Sequence, residues 1–378
     1  MKCLWPVNHI SIDAYGYVRP CCAWELWDCK TPPFNINEHT LADYFKSNFY
    51  TSLIEKMKAN QFGEGCRDCI VQERQNIYSM KDESFEDYEF RDTFEISNME
   101  IKFGNLCNQG CVMCSPRNSS VLEQEQIKYK IDTKQEKLKY HLEHQAKSKI
   151  VENPWFKNEE RLSEVVEMAS KSKLVRFTGG EPTVNNNLFT FLSKLEKLNS
   201  KVSIRITTNG HTFNQNLIDI LEKFDNVILQ VSIDGYKEVQ EYIRWPSVWS
   251  RIENNLDKMI NMKNSYVKVI STVQVLNVGE IDNLIDWALG KGIDYFNAYP
   301  VWSPSHFKPS LASQQRKDHF INSIEKYKNN DRVDYNGLLN IKKALSQEQD
   351  IKSLEHLYLY LERLDKARKT NFHNLVKI

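Results

Sequence analysis

The sequence has no cysteine after residue 114, although the chain is 378 residues long. Thiols that only fill a core should be spread along a chain, because free Cys behaves as a small buried hydrophobe. Nine cysteines without a secretion signal favour metal binding or catalysis over disulfides. The one-sided distribution therefore favours metal ligation. The cysteines are Cys3, Cys21, Cys22, Cys29, Cys66, Cys69, Cys107, Cys111 and Cys114.

The sequence also lacks a long apolar run and an excess of charge of either sign. No stretch approaches the roughly 20 apolar residues of a membrane-spanning helix, and the opening MKCLWPVNHISID lacks the apolar core of a signal peptide. Lys and Arg together number 50, as do Asp and Glu. A general nucleic-acid-binding surface is therefore not expected. These absences predict a cytoplasmic, soluble protein without a membrane partner, and they disfavour nucleic acid as a partner.

Apolar or β-branched runs alternate with helix-like stretches in the larger, cysteine-poor part of the chain. Stretches such as NLFTFLSKLEKL and IDNLIDWALGKG have apolar residues three or four positions apart. The alternation predicts six strand–helix units and a parallel sheet, either a curved partial barrel or an open doubly wound sheet. The predicted strands are residues 99–104, 173–178, 201–208, 226–233, 266–275 and 293–301.

Polar or glycine-containing segments follow most of the predicted strands. In a parallel strand–helix sheet, ligands bind at the carboxyl ends of the strands. We therefore expect the segments after the first five strands to lie at one edge of the sheet. These segments are NLCNQGCVMC, GGEP (179–182), Asn209–Gly210, Asp234–Gly235 and Asn277.

Composition divides the chain into three predicted parts. Residues 1–92 form a cysteine-rich N-terminal domain, residues 93–305 carry the strand–helix units, and residues 306–378 form a helical C-terminal extension. Residues 118–172 interrupt the strand–helix rhythm with a segment rich in Lys, Glu and Gln. We interpret this segment as a helical insertion, either simply solvated or acting as a lid or substrate-docking arm.

An apolar stripe marks the C-terminal extension. Leu357, Leu361 and Leu364 recur at helical spacing within LEHLYLYLERLDKARKT. We expect this stripe to pack in the core.

The segment CNQGCVMC has the spacing C-x3-C-x2-C, at Cys107, Cys111 and Cys114. A fully ligated iron–sulfur cluster or a closed zinc site normally takes four protein ligands. Three thiolates around a cubane leave one iron open, and open metal positions are how catalytic sites bind substrate. Together with GGEP after the second strand and SIDG (232–235) at the fourth, the motif resembles the radical S-adenosylmethionine (SAM) superfamily. The resemblance covers about residues 97–300.

This resemblance implies an α/β fold with a partial (β/α)6 TIM-like barrel and a SAM-binding [4Fe–4S] cluster on the three cysteines. In the superfamily, SAM binds the open iron, and one electron cleaves it into methionine and a 5′-deoxyadenosyl radical. The radical then abstracts hydrogen from a substrate. A low-potential donor such as flavodoxin or ferredoxin is the implied partner that supplies the electron.

The superfamily's motifs also suggest which residues contact SAM. The turn Gly179–Gly180–Glu181 would hold the methionine amino group, with its glycines allowing close backbone approach. Ser232 and Asp234 occupy positions where the family contacts the ribose. Asp234 precedes a glycine and could instead only form a turn.

Four further residues are candidates for the same cofactor site. Arg244 could neutralise the SAM carboxylate through charge-assisted hydrogen bonds. Met113 stands before the last cysteine, where the family often has an aromatic or apolar residue. Asn209 and Asn277 follow strands at the same predicted edge, although Asn209 could only serve its turn with Gly210.

The N-terminal domain contains a second set of cysteines. HISIDAYGYVRPCC predicts a β-hairpin with a turn at Asp13–Gly16. A hairpin returns its ends to one side, so Cys3 and Cys21 can approach each other. Cys66 and Cys69, spaced C-x2-C, would complete a set of four ligands, which suits a zinc ribbon or an iron–sulfur cluster.

The spacing Cys3-x12-Gly16-x4-Cys21 resembles the first half of the SPASM/twitch domain, which holds an auxiliary [4Fe–4S] cluster in many radical SAM enzymes. No further cysteine pair follows Cys69 at the spacing of a full SPASM domain, which points to the one-cluster twitch form. The domain usually follows the barrel, whereas here it precedes it. Cys22 or Cys29 could replace Cys21 as a ligand.

The sequence thus predicts a radical SAM enzyme, an oxidoreductase or other radical-based modifying enzyme. Its expected substrate is a small polar metabolite, a sugar or a peptide side chain. The alternative is a non-catalytic iron–sulfur or zinc protein that binds or senses a ligand. GGEP favours the enzyme, because a structural cluster needs no SAM-binding turn. The chain has no P-loop, G-x-S-x-G or H-E-x-x-H motif, and no catalytic side chain can be named.

Overall fold

The computed structural model describes residues 1–24, 34–74, 79–87, 96–129 and 154–375. Its strands are β1 (His9–Ile12), β2 (Tyr17–Arg19), β3 (Phe34–Asn35), β4 (Asn98–Lys102), β5 (Leu174–Thr178), β6 (Ser203–Thr208), β7 (Val227–Ser232), β8 (Ser265–Val273) and β9 (Tyr295–Pro300). Its helices are α1 (Trp5–Asn8), α2 (Leu41–Tyr44), α3 (Asn48–Lys58), α4 (Arg67–Arg74), α5 (Met80–Asp87), α6 (Ser120–Tyr129), α7 (Glu159–Lys171), α8 (Asn186–Leu198), α9 (Gln215–Leu221), α10 (Glu238–Ile243), α11 (Trp249–Ile260), α12 (Ile281–Lys291), α13 (Gln314–Ser323), α14 (Tyr335–Leu345) and α15 (Ile351–Arg368).

The strands of the described residues form an open nine-stranded sheet in the order β3-β2-β1-β4-β5-β6-β7-β8-β9. Strand β1 is parallel to β4, and the pairs β4–β5, β5–β6 and β8–β9 are parallel as well. Strands β4 to β9 correspond to the six predicted strands. The predicted α/β class with a partial, unclosed strand–helix sheet is confirmed.

The predicted N-terminal hairpin is confirmed, and it extends the main sheet. Strands β1 and β2 are antiparallel, and the Asp13 carboxylate accepts hydrogen bonds from the backbone N–H groups of Tyr15 and Tyr17, both at 3.0 Å. Strand β1 then pairs in parallel with β4, with Ile10 opposite Met99. This parallel pairing was not predicted, because the two strands are separated by most of the cysteine-rich segment.

The chain divides into two compact units. The first comprises residues 1–104, 147–206 and 219–227, and the second comprises residues 105–146, 207–218 and 228–378. In the first unit, α8 buries an apolar stripe at helical spacing, which confirms the prediction for NLFTFLSKLEKL. The stripe consists of Leu188, Phe191, Leu192 and Leu195.

The second unit contains the C-terminal extension. Leu357, Leu361 and Leu364 of α15 are fully buried, as predicted. Helix α6 begins the predicted helical insertion, whose residues 130–153 lie outside the described residues. In the part of the chain that the structure describes, no helix combines the length and the apolar character needed to cross a bilayer.

Candidate functional site

The C-x3-C-x2-C loop lies in the second unit, between β4 and α6. Its backbone is fixed to the end of α10 by two hydrogen bonds. The N–H of Gly110 donates to the carbonyl of Trp245 at 2.6 Å, and the N–H of Val112 donates to the carbonyl of Ile243 at 2.9 Å. The loop conformation is therefore set by a segment more than a hundred residues away.

The side of the loop nearer α6 is held by serine hydroxyls. Ser120 Oγ accepts a hydrogen bond from the N–H of Cys107 at 3.1 Å. Ser119 Oγ donates to the carbonyl of Gln109 at 2.5 Å and accepts from the N–H of Leu122 at 3.1 Å. Ser119 therefore ties the loop to the first turn of the helix, where its hydroxyl also satisfies an otherwise unpaired N–H group.

Two thiols of the loop, those of Cys111 and Cys114, have raised pKa values. Cys111 is buried, and burial raises the pKa of its thiol, while the positive charge of Arg244 opposes that shift. Burial and the neighbouring Cys111 thiol raise the pKa of Cys114 to about 12. Cys107 contributes to the same shift, so the three thiols interact electrostatically. Metal binding by these thiols must therefore release protons.

Arg244 links the cysteine loop to Asp234. Its Nη1 lies 3.8 Å from Cys111 Sγ, and its Nε donates to the Asp234 carboxylate at 2.7 Å. The pKa of Arg244 is raised further, because the attraction of Asp234 and of the thiolate form of Cys111 outweighs the cost of burial. The guanidinium is therefore a fixed positive charge beside the cysteines.

The carboxylate of Asp234 is fully used within the protein. One oxygen accepts the Arg244 hydrogen bond, and the other accepts from the N–H of Thr272 at 2.7 Å. Its backbone is fixed too, because its N–H donates to Gln240 Oε1 at 2.7 Å and its carbonyl accepts from Asn277 Nδ2 at 2.7 Å. In this arrangement Asp234 orients Arg244.

The other predicted residues of the second unit lie near the same elements. Asn209 Nδ2 donates to the side chain of Asn108, a residue of the cysteine loop, at 2.7 Å. Met113 Sδ accepts from Gln274 Nε2 at 3.8 Å. Ser232 is half-buried at the end of β7. The structure thus brings Asn209, Asp234, Arg244 and Asn277 into one network with the loop, directly or through one or two neighbours.

Arg368 and Glu125 were not predicted, yet they contact the loop. Arg368 Nη2 donates to the carbonyl of Gly110 at 2.6 Å and to Glu125 Oε2 at 2.6 Å, and its Nε donates to Glu125 Oε1 at 3.0 Å. The two side chains are 2% and 9% exposed. No local sequence pattern indicates this pair, because its partners are 243 residues apart.

The predicted SAM-binding turn lies in the first unit, directly after β5. Gly179 has φ +117°, and a Cβ there would lie 3.0 Å from the carbonyl oxygen of Gly104, so only glycine fits without strain. The N–H of Gly180 donates to that same carbonyl at 2.9 Å. Glu181 is buried, and its carboxylate accepts from the N–H and the hydroxyl of Thr183. The turn is therefore rigid.

The four predicted auxiliary ligands also lie in the first unit, where they interact. The pKa of Cys21 is raised well above its usual value, first by burial and then by Cys22, Cys3, Cys66 and Cys69. Cys29 lies outside the described residues. The hairpin and the C-x2-C segment thus bring Cys3, Cys21, Cys66 and Cys69 close enough for their charges to be coupled.

Residues of α5, and Ser79 just before it, form hydrogen bonds with two of these thiols. Cys3 Sγ donates to Ser84 Oγ at 3.6 Å, and burial raises the pKa of Cys3. The pKa of Cys69 is also raised by burial, against hydrogen bonds from the backbone of Lys81 and the hydroxyl of Ser79. Sequence reasoning missed these partners, because serine and lysine in a charged helix carry no distinctive pattern.

Packing against Trp24 shapes the segment before Cys66. A Cβ at Gly65 would lie 2.4 Å from the Trp24 indole, and one at Gly63 would lie 2.6 Å from it. Only glycine allows this approach of the backbone to the ring. The FGEGC sequence therefore lets the C-x2-C segment pack closely beside the end of the hairpin strand.

Two family models match the chain. The radical SAM superfamily model matches residues 101–288, which contain Cys107, Cys111 and Cys114. The chain belongs to the radical SAM superfamily. The SPASM model, an iron–sulfur cluster-binding domain, matches residues 3–70 of this radical SAM protein. Both predicted resemblances are therefore confirmed.

Several solved structures are similar to this radical SAM protein at low identity. Streptococcus suis SuiB bound to S-adenosylmethionine is 13% identical, with 77% of this chain and 61% of SuiB covered and a TM-score of 0.41. Native anSMEcpe with bound AdoMet and Cp18Cys peptide is 17% identical, with 63% of each chain covered and a TM-score of 0.40. The chain thus spans less than two thirds of the length of SuiB and of anSMEcpe. No curated protein sequence matches the chain.

Membership in the two families implies a SAM-binding [4Fe–4S] cluster, an auxiliary cluster and SAM, as predicted. The residues fit these groups, since sulfur ligands are what iron–sulfur clusters require. Among the described residues, no three His, Cys, Asp or Glu side chains are arranged to hold one metal ion. A [4Fe–4S] cluster does not need several ligands on one metal atom, because each ligated iron takes a single thiolate.

Proposed function

We propose that this protein is a radical SAM enzyme that modifies a small polar metabolite, a sugar or a peptide side chain, in a net oxidation or another radical-based reaction. When bound, the first cluster supplies the electron that cleaves the sulfonium carbon–sulfur bond of SAM, giving methionine and a 5′-deoxyadenosyl radical that takes a hydrogen atom from the substrate. A low-potential protein such as flavodoxin or ferredoxin would donate the electron.

The placement of Arg244 beside the cysteine loop is the observation that supports this proposal most strongly. Its Nη1 lies 3.8 Å from Cys111 Sγ, and Asp234 holds Nε at 2.7 Å. Among the described residues, no oxygen accepts a hydrogen bond from Nη2. A positioned guanidinium can bind a carboxylate through charge-assisted hydrogen bonds, and SAM brings a carboxylate to the open iron.

Other residues take roles that follow from the family motifs. Gly179, Gly180 and Glu181 contribute to binding of the SAM methionine group. Asp234 positions Arg244, and Ser232, Asn209 and Asn277 line the cofactor's ribose and adenine side together with Met113. Cys107, Cys111 and Cys114 ligate the first cluster, and Cys3, Cys21, Cys66 and Cys69 ligate the auxiliary one. Four thiolates would ligate all four irons of the auxiliary cluster, so that it could not bind substrate directly. Its role would then be electron transfer or structural support.

The test is formation of 5′-deoxyadenosine by anaerobic, reduced holoprotein supplied with SAM, with the product measured by chromatography. Wild type should form it. Arg244→Gln should weaken SAM binding roughly 10- to 100-fold, because charge-assisted hydrogen bonds are lost. Arg251→Gln, an exposed arginine on α11, is the matched control and should bind SAM like wild type.

Two results would count against the proposal. Absence of 5′-deoxyadenosine from wild-type protein with full iron content would leave a non-catalytic iron–sulfur protein as the better description. Unchanged SAM affinity in folded Arg244→Gln would remove Arg244 from the cofactor site. Arg244→Lys retains the positive charge but lacks the planar guanidinium. Its affinity for SAM should therefore lie between that of wild type and that of Arg244→Gln.

A further inference from the structure

Ser84 of α5 lies against the N-terminal segment that carries Cys3. Its hydroxyl accepts a hydrogen bond from the N–H of Leu4 at 3.1 Å and from the Cys3 thiol at 3.6 Å, and it donates to the carbonyl of Lys81 at 2.5 Å. Ser84 is fully buried, and Cys3 is 9% exposed. The contact therefore joins α5 to one of the proposed auxiliary ligands, 81 residues away in sequence.

Iron binding would reverse the direction of this hydrogen bond. Clusters are ligated by thiolates, so Cys3 loses its proton on ligation and its sulfur can then only accept. The Ser84 hydroxyl carries one proton and can rotate to donate it to that sulfur. Its present acceptor, the carbonyl of Lys81, lies inside α5, where helix geometry also supplies the N–H four residues further on. The rotation therefore leaves no buried carbonyl without a donor.

Burial gives this hydrogen bond its weight. Water can donate to an exposed sulfur as well as serine can, whereas a buried sulfur depends on donors of the protein, and the low local dielectric strengthens the bond. Burial raises the pKa of Cys3, and the hydrogen bonds from the backbone of Trp5 and from Ser84 oppose this shift more than the positive charge of Lys81 does. The hydroxyl is therefore a stronger influence on this sulfur than the nearby cation.

The charges around Lys81 largely compensate each other. Lys2 Nζ lies 2.9 Å from the Glu73 carboxylate, and Lys81 Nζ lies 3.0 Å from Glu73 and 3.1 Å from Asp82. Two cations thus face two carboxylates. A neutral hydroxyl such as that of Ser84 is therefore the group on α5 whose removal changes the surroundings of Cys3 without unbalancing these charges.

A hydrogen bond to a ligating sulfur affects the two oxidation states of a cluster differently. A cluster with four thiolates is anionic, and uptake of one electron adds a further negative charge. A donor that points at the sulfur stabilises the more negative, reduced form to a greater extent. Hydrogen bonds to the sulfurs are accordingly among the factors that set the reduction potentials of iron–sulfur clusters.

We infer that Ser84 raises the reduction potential of the auxiliary cluster by donating a hydrogen bond to Cys3 Sγ. Ser84 is a positioning residue in this role, because it contacts a ligand of the cluster and not the substrate. The inference rests on the proposed function, which makes Cys3 a ligand of that cluster. A higher potential makes the cluster a better acceptor of one electron, which favours electron transfer over structural support as its role.

The experiment is a redox titration of anaerobic holoprotein followed by electron paramagnetic resonance. Addition of SAM should change the signal of the first cluster alone, because only that cluster has an open iron, and this identifies the auxiliary signal. Ser84→Ala should lower the equilibrium constant for reduction of the auxiliary cluster about tenfold, which is about 59 mV for a one-electron couple. The potential of the first cluster should stay the same. Ser84→Thr retains the hydroxyl and should keep both wild-type potentials.

Ser170→Ala is the matched control. Ser170 lies in α7 of the same unit, and its hydroxyl also donates to the carbonyl three residues earlier, that of Glu167, at 2.7 Å. Helix α7 contains no cysteine. This variant loses the same kind of helical hydrogen bond as Ser84→Ala, and both reduction potentials should remain those of wild type.

The outcomes separate the inference from the proposed function. An auxiliary potential that is equal in wild type and Ser84→Ala overturns the inference alone, and so does an equal shift of both clusters. Stoichiometric zinc or the absence of a second iron-based couple in wild type overturns the proposed auxiliary ligands, and the inference with them. If Ser84→Ala does not fold or loses the auxiliary iron, Ser84→Thr decides: a wild-type potential supports the inference, and a tenfold shift refutes it.

Discussion

Replacing Arg368 should lower two properties that can be measured separately. These are the free energy of unfolding and the retention of the first cluster. The Arg368–Glu125 pair is almost fully buried and bidentate, and Arg368 also donates to the carbonyl of Gly110 inside the cysteine loop. Arg368→Met removes the cation but retains a long apolar side chain. It leaves the Glu125 carboxylate buried without its charge partner, which costs about 3–5 kcal/mol.

The double variant Glu125→Leu, Arg368→Met should recover most of that loss. Replacing both members of a buried ion pair with apolar residues of similar size is often close to neutral. The carbonyl of Gly110 still lacks its donor, and an unsatisfied buried acceptor costs about 1–3 kcal/mol. The double variant should therefore be more stable than the single one, while the loop remains less well positioned in both.

Urea unfolding of the apoprotein measures the loss of stability. With a slope of about 3 kcal/mol per M, the single variant's midpoint should fall by about 1–2 M, and the double variant's by less than about 1 M. Retention of iron by anaerobic holoprotein during dilution into a chelator measures how well the cysteine loop is positioned to hold the first cluster. Both variants should lose the first cluster faster than wild type, and the electron paramagnetic resonance signal of its reduced form should change.

Two outcomes would refute this reasoning. A single variant destabilised by less than about 1 kcal/mol would mean that Glu125 is not buried as a charge. A double variant with wild-type iron retention and an unchanged spectrum would show that the Arg368–Gly110 hydrogen bond does not position the loop. Lys366→Met, in the last turn of the same helix, is the matched control and should behave like wild type.

Three further predictions concern the clusters and SAM. Replacing Cys107, Cys111 and Cys114 with Ala should remove about half of roughly eight irons per chain, whereas stoichiometric zinc in place of the remaining iron would exclude an auxiliary iron–sulfur cluster. Glu181→Ala should weaken SAM binding, measured calorimetrically, without changing iron content, because Glu181 offers no thiolate; equal SAM affinity would place it outside the site. Removing Cys66 and Cys69 together should preserve 5′-deoxyadenosine formation but stop substrate oxidation, provided circular dichroism shows a folded protein; normal product formation would eliminate an electron-transfer role.

The regular elements of this fold could be predicted from local patterns. Strands β4 to β9 show as apolar or β-branched runs, and α8 shows as an apolar stripe, because burial imposes a period on the sequence. The parallel pairing of β1 with β4 could not be predicted. It depends on which edge of the sheet the hairpin pairs with. The apolar character of Ile10 and Met99 would suit many other pairings, so it does not identify the partner strand.

Part of the candidate site could likewise be predicted from local sequence patterns, and part could not. Cysteine spacing is local, so the two ligand sets could be proposed from the sequence, and the glycines at positions 179 and 180 mark a turn. Arg244 was proposed as a partner of the SAM carboxylate, but its 2.7 Å contact with Asp234 was not predicted. Residues that act through tertiary contacts, such as Ser84 beside Cys3, left no trace in the sequence.

The end of α15 explains how a residue so far along the chain can serve the cysteine loop. Lys369 ends the helix in the left-handed conformation, with φ +58°. The Asp365 carboxylate accepts from the hydroxyl of Thr370 at 2.6 Å and from the N–H of Phe372 at 2.9 Å, which fixes the chain as it leaves the helix. Arg368 therefore has a set position, and the C-terminal extension contacts the cysteine loop through it. We therefore expect binding of the first cluster to depend on this helix as well as on the three cysteines.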